Sequence, residues 1–452
     1  MAKTPTLSLS ESALPEHVSA LRQANRAFSQ RYPGETTARQ PVHTVYGGGH
    51  LFRADTARKL GNVALRALDE YAPEAATFAR AIGLDSVPPN DADLVYTRVR
   101  EKLASEPVED FRIDFEDGYG ARADDEEDHH VQAAAREVAL GARNKALPAG
   151  IGIRVKPLNE EWRQRSVRTL DLFLTTLAHE LSGSLPAGLM LTVPKVTLVE
   201  QVQYMAALLA AFEQRLGLRD GVLRFEIMVE MPQVVIDATG RCALPALIDA
   251  GAGRISGAHF GTYDYTAGCG ITAAYQKMQH EACQFALRTM QVALAGTGVW
   301  MSDGSTTVLP VPPFPNEARQ ENTTAMHRAW RLHYEDVRHS LANGFYQGWD
   351  LHPAQLPTRY AAVFSFFLEG IDAAGERLRN FVAKAAQATL VGSDFDDAAT
   401  GQGLLNYFLR AVECGAISAD EAAVRSGLTL EELQSKSFVR ILRARATSQA
   451  SA

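Results

Sequence analysis

The chain has 452 residues, of which 46% are hydrophobic and 22% charged, with a net charge of -8. That length suits two or three folding units or one large α/β barrel, and an acidic balance without any Lys/Arg block excludes a nucleic-acid surface. No stretch approaches the roughly 18 uninterrupted apolar residues of a membrane helix, and Cys242, Cys269, Cys283 and Cys414 lack both CxxC spacing and the density of a disulfide scaffold.

The opening stretch MAKTPTLSLSESALPEHV has no cationic segment followed by an apolar one, so no secretory leader is expected and the expected location is the cytoplasm. Residues 1–40 are expected to be an N-terminal helical segment. PVHTVY (41–46) is the first strand candidate, and the GGGH after it (47–50) reads as a turn rather than a phosphate cradle, because a lone glycine run is a weak signal. Residues 55–110 are too many for an ordinary βα connection, which predicts an inserted helix pair. FRIDF (111–115) is the second strand candidate and runs into Glu116-Asp117-Gly118. In DDEEDHH (124–130) the acids read as a helix start, where they meet the positive end of the dipole, rather than as a metal cluster.

GIRVK (152–156) carries Arg154 and Lys156, LMLTV (189–193) precedes Pro194-Lys195, and FEIMV (225–229) precedes Glu230. LVEQVQYMAALLAAFEQRL (198–216) shows apolar residues at helical spacing, as does ACQFALRTMQVALA (282–295). Between them ISGAHF (255–260) leads to Asp264, flanked by Tyr263 and Tyr265, and to Cys269, which has no assigned base and reads as packing. GVWMS (298–302) precedes Asp303, and YQGWDL (346–351) precedes His352. From about 373 the chain is Ala-rich and helical, with no strand candidate.

Strand candidates alternating with helical stretches predict βα units and a parallel sheet, and the eight found here are the number that closes a TIM (β/α)8 barrel. The expected division is an N-terminal segment 1–40, a barrel 41–372 with the insertion at about 55–110, and a C-terminal helical extension 373–452. In such a barrel all strand ends share one rim, so polar residues scattered along the chain converge. Glu230 and Asp264, after adjacent strands, can offer oxygens to one Mg2+, which is usually held by one or two carboxylates plus water and substrate. Arg154 offers a planar fork for a substrate carboxylate. An Asp left at the end of an apolar run needs such a cation, since its desolvation is otherwise costly.

These segments resemble, in order over roughly residues 41–370, the citrate lyase beta subunit and malyl-CoA lyase group, relatives of the malate synthases and magnesium-dependent TIM barrels. IDFEDGYG (113–120) resembles the group's D-[LF]-E-D, IRVKP (153–157) its R-V-N, VPKV (193–196) its P-K-V and MVEMP (228–232) its strand ending in E-T. GTYDYT (261–266) resembles its G-x-x-D step, and GWDLHPAQ (348–355) its I-H-P-x-Q. The resemblance implies metal ligation by Glu230 and Asp264 and a carboxylate clamp by Arg154. Glu116 and Asp117 would orient Arg154 and metal-bound water, Lys195 and His352 would complete the rim, and Gly261, Thr262 and Pro353 would contact substrate. His43-Thr44 stands where the group has Arg-Ser, Lys156 where it has Asn and Met231 where it has Thr, so a different substrate shape is implied.

The expected activity is a magnesium-dependent carbon–carbon lyase or aldolase acting on a 3-hydroxy acid or its CoA thioester, with a 2-oxo acid or an acetyl-type enolate released or used. Asp303, His50 and His352 are the candidate general bases. A Schiff-base aldolase with Lys156 or Lys195, or a barrel that binds a metabolite without catalysis, are the alternatives. The partners expected are a small carboxylate, a CoA thioester if one is used, and further copies of the chain in a homo-oligomer, with no nucleic acid and no membrane.

Overall fold

Eight strands pair in parallel, in chain order, and close on themselves in the computed structural model, which describes residues 14–450 except 35, 37, 85–88, 316, 318, 384–388, 392, 393 and 397. They are β1 His43–Gly48, β2 Asp110–Asp114, β3 Gly150–Arg154, β4 Leu189–Val193, β5 Phe225–Val229, β6 Ile255–Phe260, β7 Trp300–Ser305 and β8 Gln347–Asp350. Closure runs through His43 opposite Gly348 and Val45 opposite Asp350. The fold is a TIM (β/α)8 barrel with additional C-terminal helices.

Strand side chains alternate between two faces. The outward set (Val45, Phe111, Ile113, Ile151, Ile153, Leu191, Phe225, Ile227) is apolar and buried under the helices. The inward set is polar. Arg112 of β2 pairs across the barrel with Glu226 of β5, Nε to Oε1 at 2.9 Å and Nη2 to Oε2 at 3.0 Å, and also with Asp110. Thr192 donates to Glu226 at 2.6 Å, His259 Nε2 lies 3.0 Å from Glu226 Oε2, and Thr44 donates to Asp110 at 2.8 Å while accepting from Gln347 at 3.0 Å. Burial pushes the Glu226 carboxyl up, but Arg112 and His259 outweigh it and hold it well below the usual range.

Three helices (Thr56–Tyr71, Ala75–Ile82 and Pro89–Ser105) separate β1 from β2. The helix Leu356–Ala383 follows β8 and continues without a break past residue 372, packing against Pro89–Ser105, Gln320–Ala342 and Ala398–Glu413. Beyond it lie the helices Ala419–Ser426, Leu430–Gln434 and Phe438–Ala450, together with two short antiparallel strands, Thr389–Val391 and Asp394–Asp396. Those strands differ from the strandless tail expected; three-residue runs fall below the length at which alternation is readable. The helix Pro15–Arg31 buries none of its residues and is tied down by Arg31 to Asp249 at 2.6 Å. Among the described residues no helix is long and apolar enough to cross a membrane.

At the opposite end of the barrel from the strand C-termini, Glu213 joins the helix Val199–Leu216 to Arg254 through two 2.7 Å bonds and accepts the N–H groups of Gly221 and Leu223. Burial raises this carboxyl, but those partners outweigh it and hold it at about 2, against an ordinary 4.5. A depressed folded-state pKa contributes stability that is present above the unfolded value and lost as pH falls through the folded one. The contribution here is about 3 kcal/mol above pH 4.5, disappearing toward pH 2. Urea titrations across that window are expected to show a flatter acid limb for Glu213→Gln than for the wild type; parallel limbs would mean that the pair does not drive the acid response.

Candidate active site

The ends of β2 to β6 bring the ionisable groups together. Asp114, the last inward residue of β2, accepts the N–H groups of Glu116 at 3.0 Å and Gly118 at 2.7 Å and so closes the loop that carries Glu116 and Asp117. It also takes Arg154 of β3 in a two-point pair, Nε to Oδ1 at 2.8 Å and Nη2 to Oδ2 at 2.5 Å. Burial and Arg154 act on Asp114 in opposite senses, and Arg154 wins, holding the carboxyl below its usual range. The planar fork of Arg154 is therefore given to Asp114 rather than left for a ligand. Its Nη1 edge is what remains, 3.1 Å from Glu116 Oε2 and 3.9 Å from Asp117.

After β4, Lys195 turns into the left-handed region, with φ of 48°, a conformation non-glycine residues seldom adopt. The turn sends its N–H to Glu230 Oε1 at 2.6 Å and its ammonium to Glu116, with Asp117 at 3.4 Å and Asp264 at 3.7 Å. Burial lowers the amine, but Glu116 outweighs burial and the net shift is upward. Lys195 is thus held cationic, the opposite of the lowered amine a Schiff-base step uses. Lys156 reaches Glu127 at 2.6 Å and the Phe115 carbonyl at 2.8 Å, away from this group.

Glu230 follows β5 and is 1% exposed. Gly261 packs on it so closely that a Cβ there would lie 2.5 Å from both Glu230 Cβ and Oε2, which only glycine permits. Burial, then Asp264 and Glu116, push the Glu230 carboxyl up to about 8. Asp264 is not at a strand end as expected. β6 stops at Phe260, and Asp264 sits in the first turn of the helix Thr262–Gly268, its side chain 40% exposed.

One rim therefore gathers Asp114, Glu116, Asp117, Glu230 and Asp264 against Arg154 and Lys195, an excess of carboxylate. Glu116 Oε2 is buried and, although near Arg154, lacks hydrogen-bond geometry to any partner. Among the described residues no three His, Cys, Asp or Glu side chains come together as a metal cage. That donor set fits magnesium, which needs only one or two carboxylates and keeps water elsewhere, and does not fit a zinc cage.

The other expected residues have these surroundings. Asp303 is turned outward, its carboxylate accepting Ser340 Oγ at 2.6 Å under the helix Gln320–Ala342, because β7 runs on to Ser305 and places residue 303 on the outer face. His352 accepts the Ala354 N–H and caps the 3-10 turn Pro353–Gln355, which also holds Pro353. His50 lies beside the rings of Tyr119 and His130. Thr262 is buried with an unpartnered Oγ1. Cys269 is a free, exposed thiol. In DDEEDHH, Glu127 pairs with Lys156 and Arg165, and Asp128 with Arg165 and Arg168, as structural counter-ions. Gly47 and Gly49 pack against the rings of Phe111 and Phe115, a close approach rather than a phosphate cradle.

Asp114 itself, and the inward-facing Tyr46, His259 and Trp349 beneath it, were not expected in the site. A period-two reading of Asp110, Arg112 and Asp114 in DFRID is the signal that finds the first of them. A cavity of about 560 Å³ lies at the opposite face, between Gln40, Trp300, Asn406 and Arg410. Chemistry rather than cavity size therefore marks the rim, consistent with the C-terminal face carrying the site in such barrels.

A family model described as a domain of unknown function, DUF6986, matches residues 21–441. No curated protein matches the chain. Among solved structures, a citrate lyase from Burkholderia xenovorans LB400 is similar with a TM-score of 0.53 at 19% identity, over 73% of this chain and 91% of that one. Haloferax volcanii malate synthase in its magnesium/glyoxylate complex gives 0.45 at 14% identity, over 88% and 99%. Protein CitE from Mycobacterium tuberculosis, in complex with magnesium and acetoacetate, gives 0.39 at 15% identity, over 72% and 91%. The first of these likenesses shows a shared barrel fold.

Proposed function

The chain belongs to the DUF6986 family, and from the surplus of carboxylate on its barrel rim we propose that it is a magnesium-dependent carbon–carbon lyase or aldolase of 3-hydroxy acids or their CoA thioesters, with a 2-oxo acid as product or co-substrate. The observation that carries this is geometric: Glu230 is buried, and Lys195 gathers it with Glu116 and Asp264 on one rim, through its N–H to Glu230 at 2.6 Å and its ammonium to Glu116 and, at 3.7 Å, to Asp264. A divalent cation would offset the charge of such a cluster.

Glu230 and Asp264 would hold the metal. Magnesium bound there supplies Lewis acidity, stabilising negative charge that develops on a 2-oxo oxygen. Arg154 binds the adjoining carboxylate through its Nη1 edge, its orientation fixed by the two bonds to Asp114. Lys195 holds Glu116 on one oxygen and leaves Oε2 without a hydrogen bond. Burial and Asp117 raise Glu116 against the lowering effect of Arg154 and Lys195, which suits it to take the substrate hydroxyl proton at Oε2 while the hydroxyl carbon becomes the 2-oxo carbon and the electron pair of the broken carbon–carbon bond passes to the departing fragment as its enolate, and to return the proton in the reverse direction. In this reading Glu116 takes the role for which Asp303, His50 and His352 are the sequence candidates, and Asp303 is instead bonded to Ser340.

Calorimetric titration of the protein with magnesium, with and without oxalate as a mimic of the enolate of a 2-oxo acid, tests the reading. Oxalate is expected to bind only when magnesium is present; oxalate binding that persists in EDTA, or is absent under both conditions, would overturn it.

A further inference from the structure

Below the carboxylate rim, the inward faces of β1, β6 and β8 carry Tyr46, His259 and Trp349. Their direction follows from the alternation: Thr44 and Gln347, two residues earlier on β1 and β8, meet each other inside the barrel, where Thr44 also donates to Asp110, and His259 meets the inward Glu226. The Tyr46 and Trp349 rings lie 4.8 Å apart, the His259 ring is 6.3 Å from Trp349, and the Arg154 guanidinium sits over Tyr46 at 4.7 Å. Arg154 Nη1 also touches Met228 Sδ at 3.7 Å, which closes the layer on the β5 side. Three atoms in this layer, Tyr46 Oη, Trp349 Nε1 and His259 Nδ1, are buried and have no hydrogen-bond partner. His259 is 1% and Trp349 9% exposed. Buried polar atoms almost always have partners, and an indole N–H can only donate. The neighbouring inward side chains Thr44, Asp110, Thr192, Glu226 and Gln347 are paired in the network around Arg112, which leaves these three atoms without a partner there.

We propose that this layer is a second ligand subsite, in which Trp349 Nε1–H and Tyr46 Oη–H donate to a carboxylate at the far end of the ligand whose 2-oxo acid end is held at the rim. The inference rests on the rim reading above and adds the substrate class to it. Met228, on β5, stands two residues before Glu230, which is a rise of about 7 Å along the strand direction between the level of Met228 and that of Glu230. That span matches a dicarboxylic 2-oxo acid of four or five carbons and exceeds the reach of pyruvate. Arg154, touching both levels, lies alongside the ligand and offsets its second negative charge.

The test compares pyruvate and 2-oxoglutarate as probes, each titrated in the presence of magnesium into the wild type, Tyr46→Phe and Trp349→Phe. Both substitutions keep an aromatic ring and delete the donor. In the wild type 2-oxoglutarate is expected to bind at least about 10-fold tighter than pyruvate, and in each variant that ratio is expected to fall toward one, since a charged hydrogen bond commonly carries about a tenfold affinity difference. A wild-type ratio near one, or a preference that survives both substitutions, overturns the subsite and leaves the rim reading standing if pyruvate binding needs magnesium. If neither probe binds the wild type with magnesium, the rim reading falls and the subsite falls with it.

Discussion

In Asp264→Asn, magnesium affinity is expected to drop by on the order of 100-fold and magnesium-dependent oxalate binding to disappear at ordinary magnesium concentrations. Asp264 is 40% exposed in a short helix after β6, and its recorded ionic partner is Lys195 at 3.7 Å. An amide of the same shape there leaves the barrel core untouched, so the unfolding midpoint in urea should stay within error of the wild type. The charge it removes is one of two that can meet at a single ion, the other being Glu230, whose position is fixed by the Lys195 N–H and by the Gly261 contact. A variant that keeps full magnesium-dependent oxalate binding would sink the metal assignment, because two oxygens from one carboxylate cannot distinguish this site from any acidic surface. The same loss accompanied by a lowered unfolding midpoint would instead point to a packing role for Asp264.

The largest effect on stability is expected for Arg112→Met, about 3–5 kcal/mol, the usual cost of leaving buried charges without their partner. Arg112 is 2% exposed and bridges Asp110 and Glu226 inside the barrel. Its removal leaves two buried carboxylates, Asp110 and Glu226, without their guanidinium. Thr192 and His259 still meet Glu226, but nothing replaces the two-point contact that holds the carboxyl ionised. The measurement is urea unfolding: the midpoint should fall with the slope unchanged, since the surface exposed on unfolding is the same. A loss below about 1 kcal/mol would show a hydrated, loosely coupled interior.

Much of the candidate site was legible before the fold. Glu230, Lys195 and Arg154 each lie at or just past the C-terminal end of a parallel strand, and such ends share one rim whatever the details of the helices. Asp303 shows where that logic stops. GVWMS ends the apolar run at 302, but β7 continues to Ser305, and a single position in a period of two sends the carboxylate outward to Ser340. Asp264 shows the converse: the residue reaches the rim, but from a helical turn, which its flanking aromatics concealed.

By itself the sequence determined the eight strands and their order, because short β-branched runs separated by helical spacing admit little else, and it determined that acids and bases would crowd one end. Only the tertiary structure decided which of them meet. Asp114 is claimed by Arg154 across a β2–β3 register of one residue pair, Arg112 finds Glu226 across the width of the barrel, and Tyr46 meets Trp349 through the closure of β1 on β8. Those contacts join residues 40 to more than 300 positions apart, and they exist only once eight strands have fixed one another's register, since a slip of one residue would turn every inward side chain out.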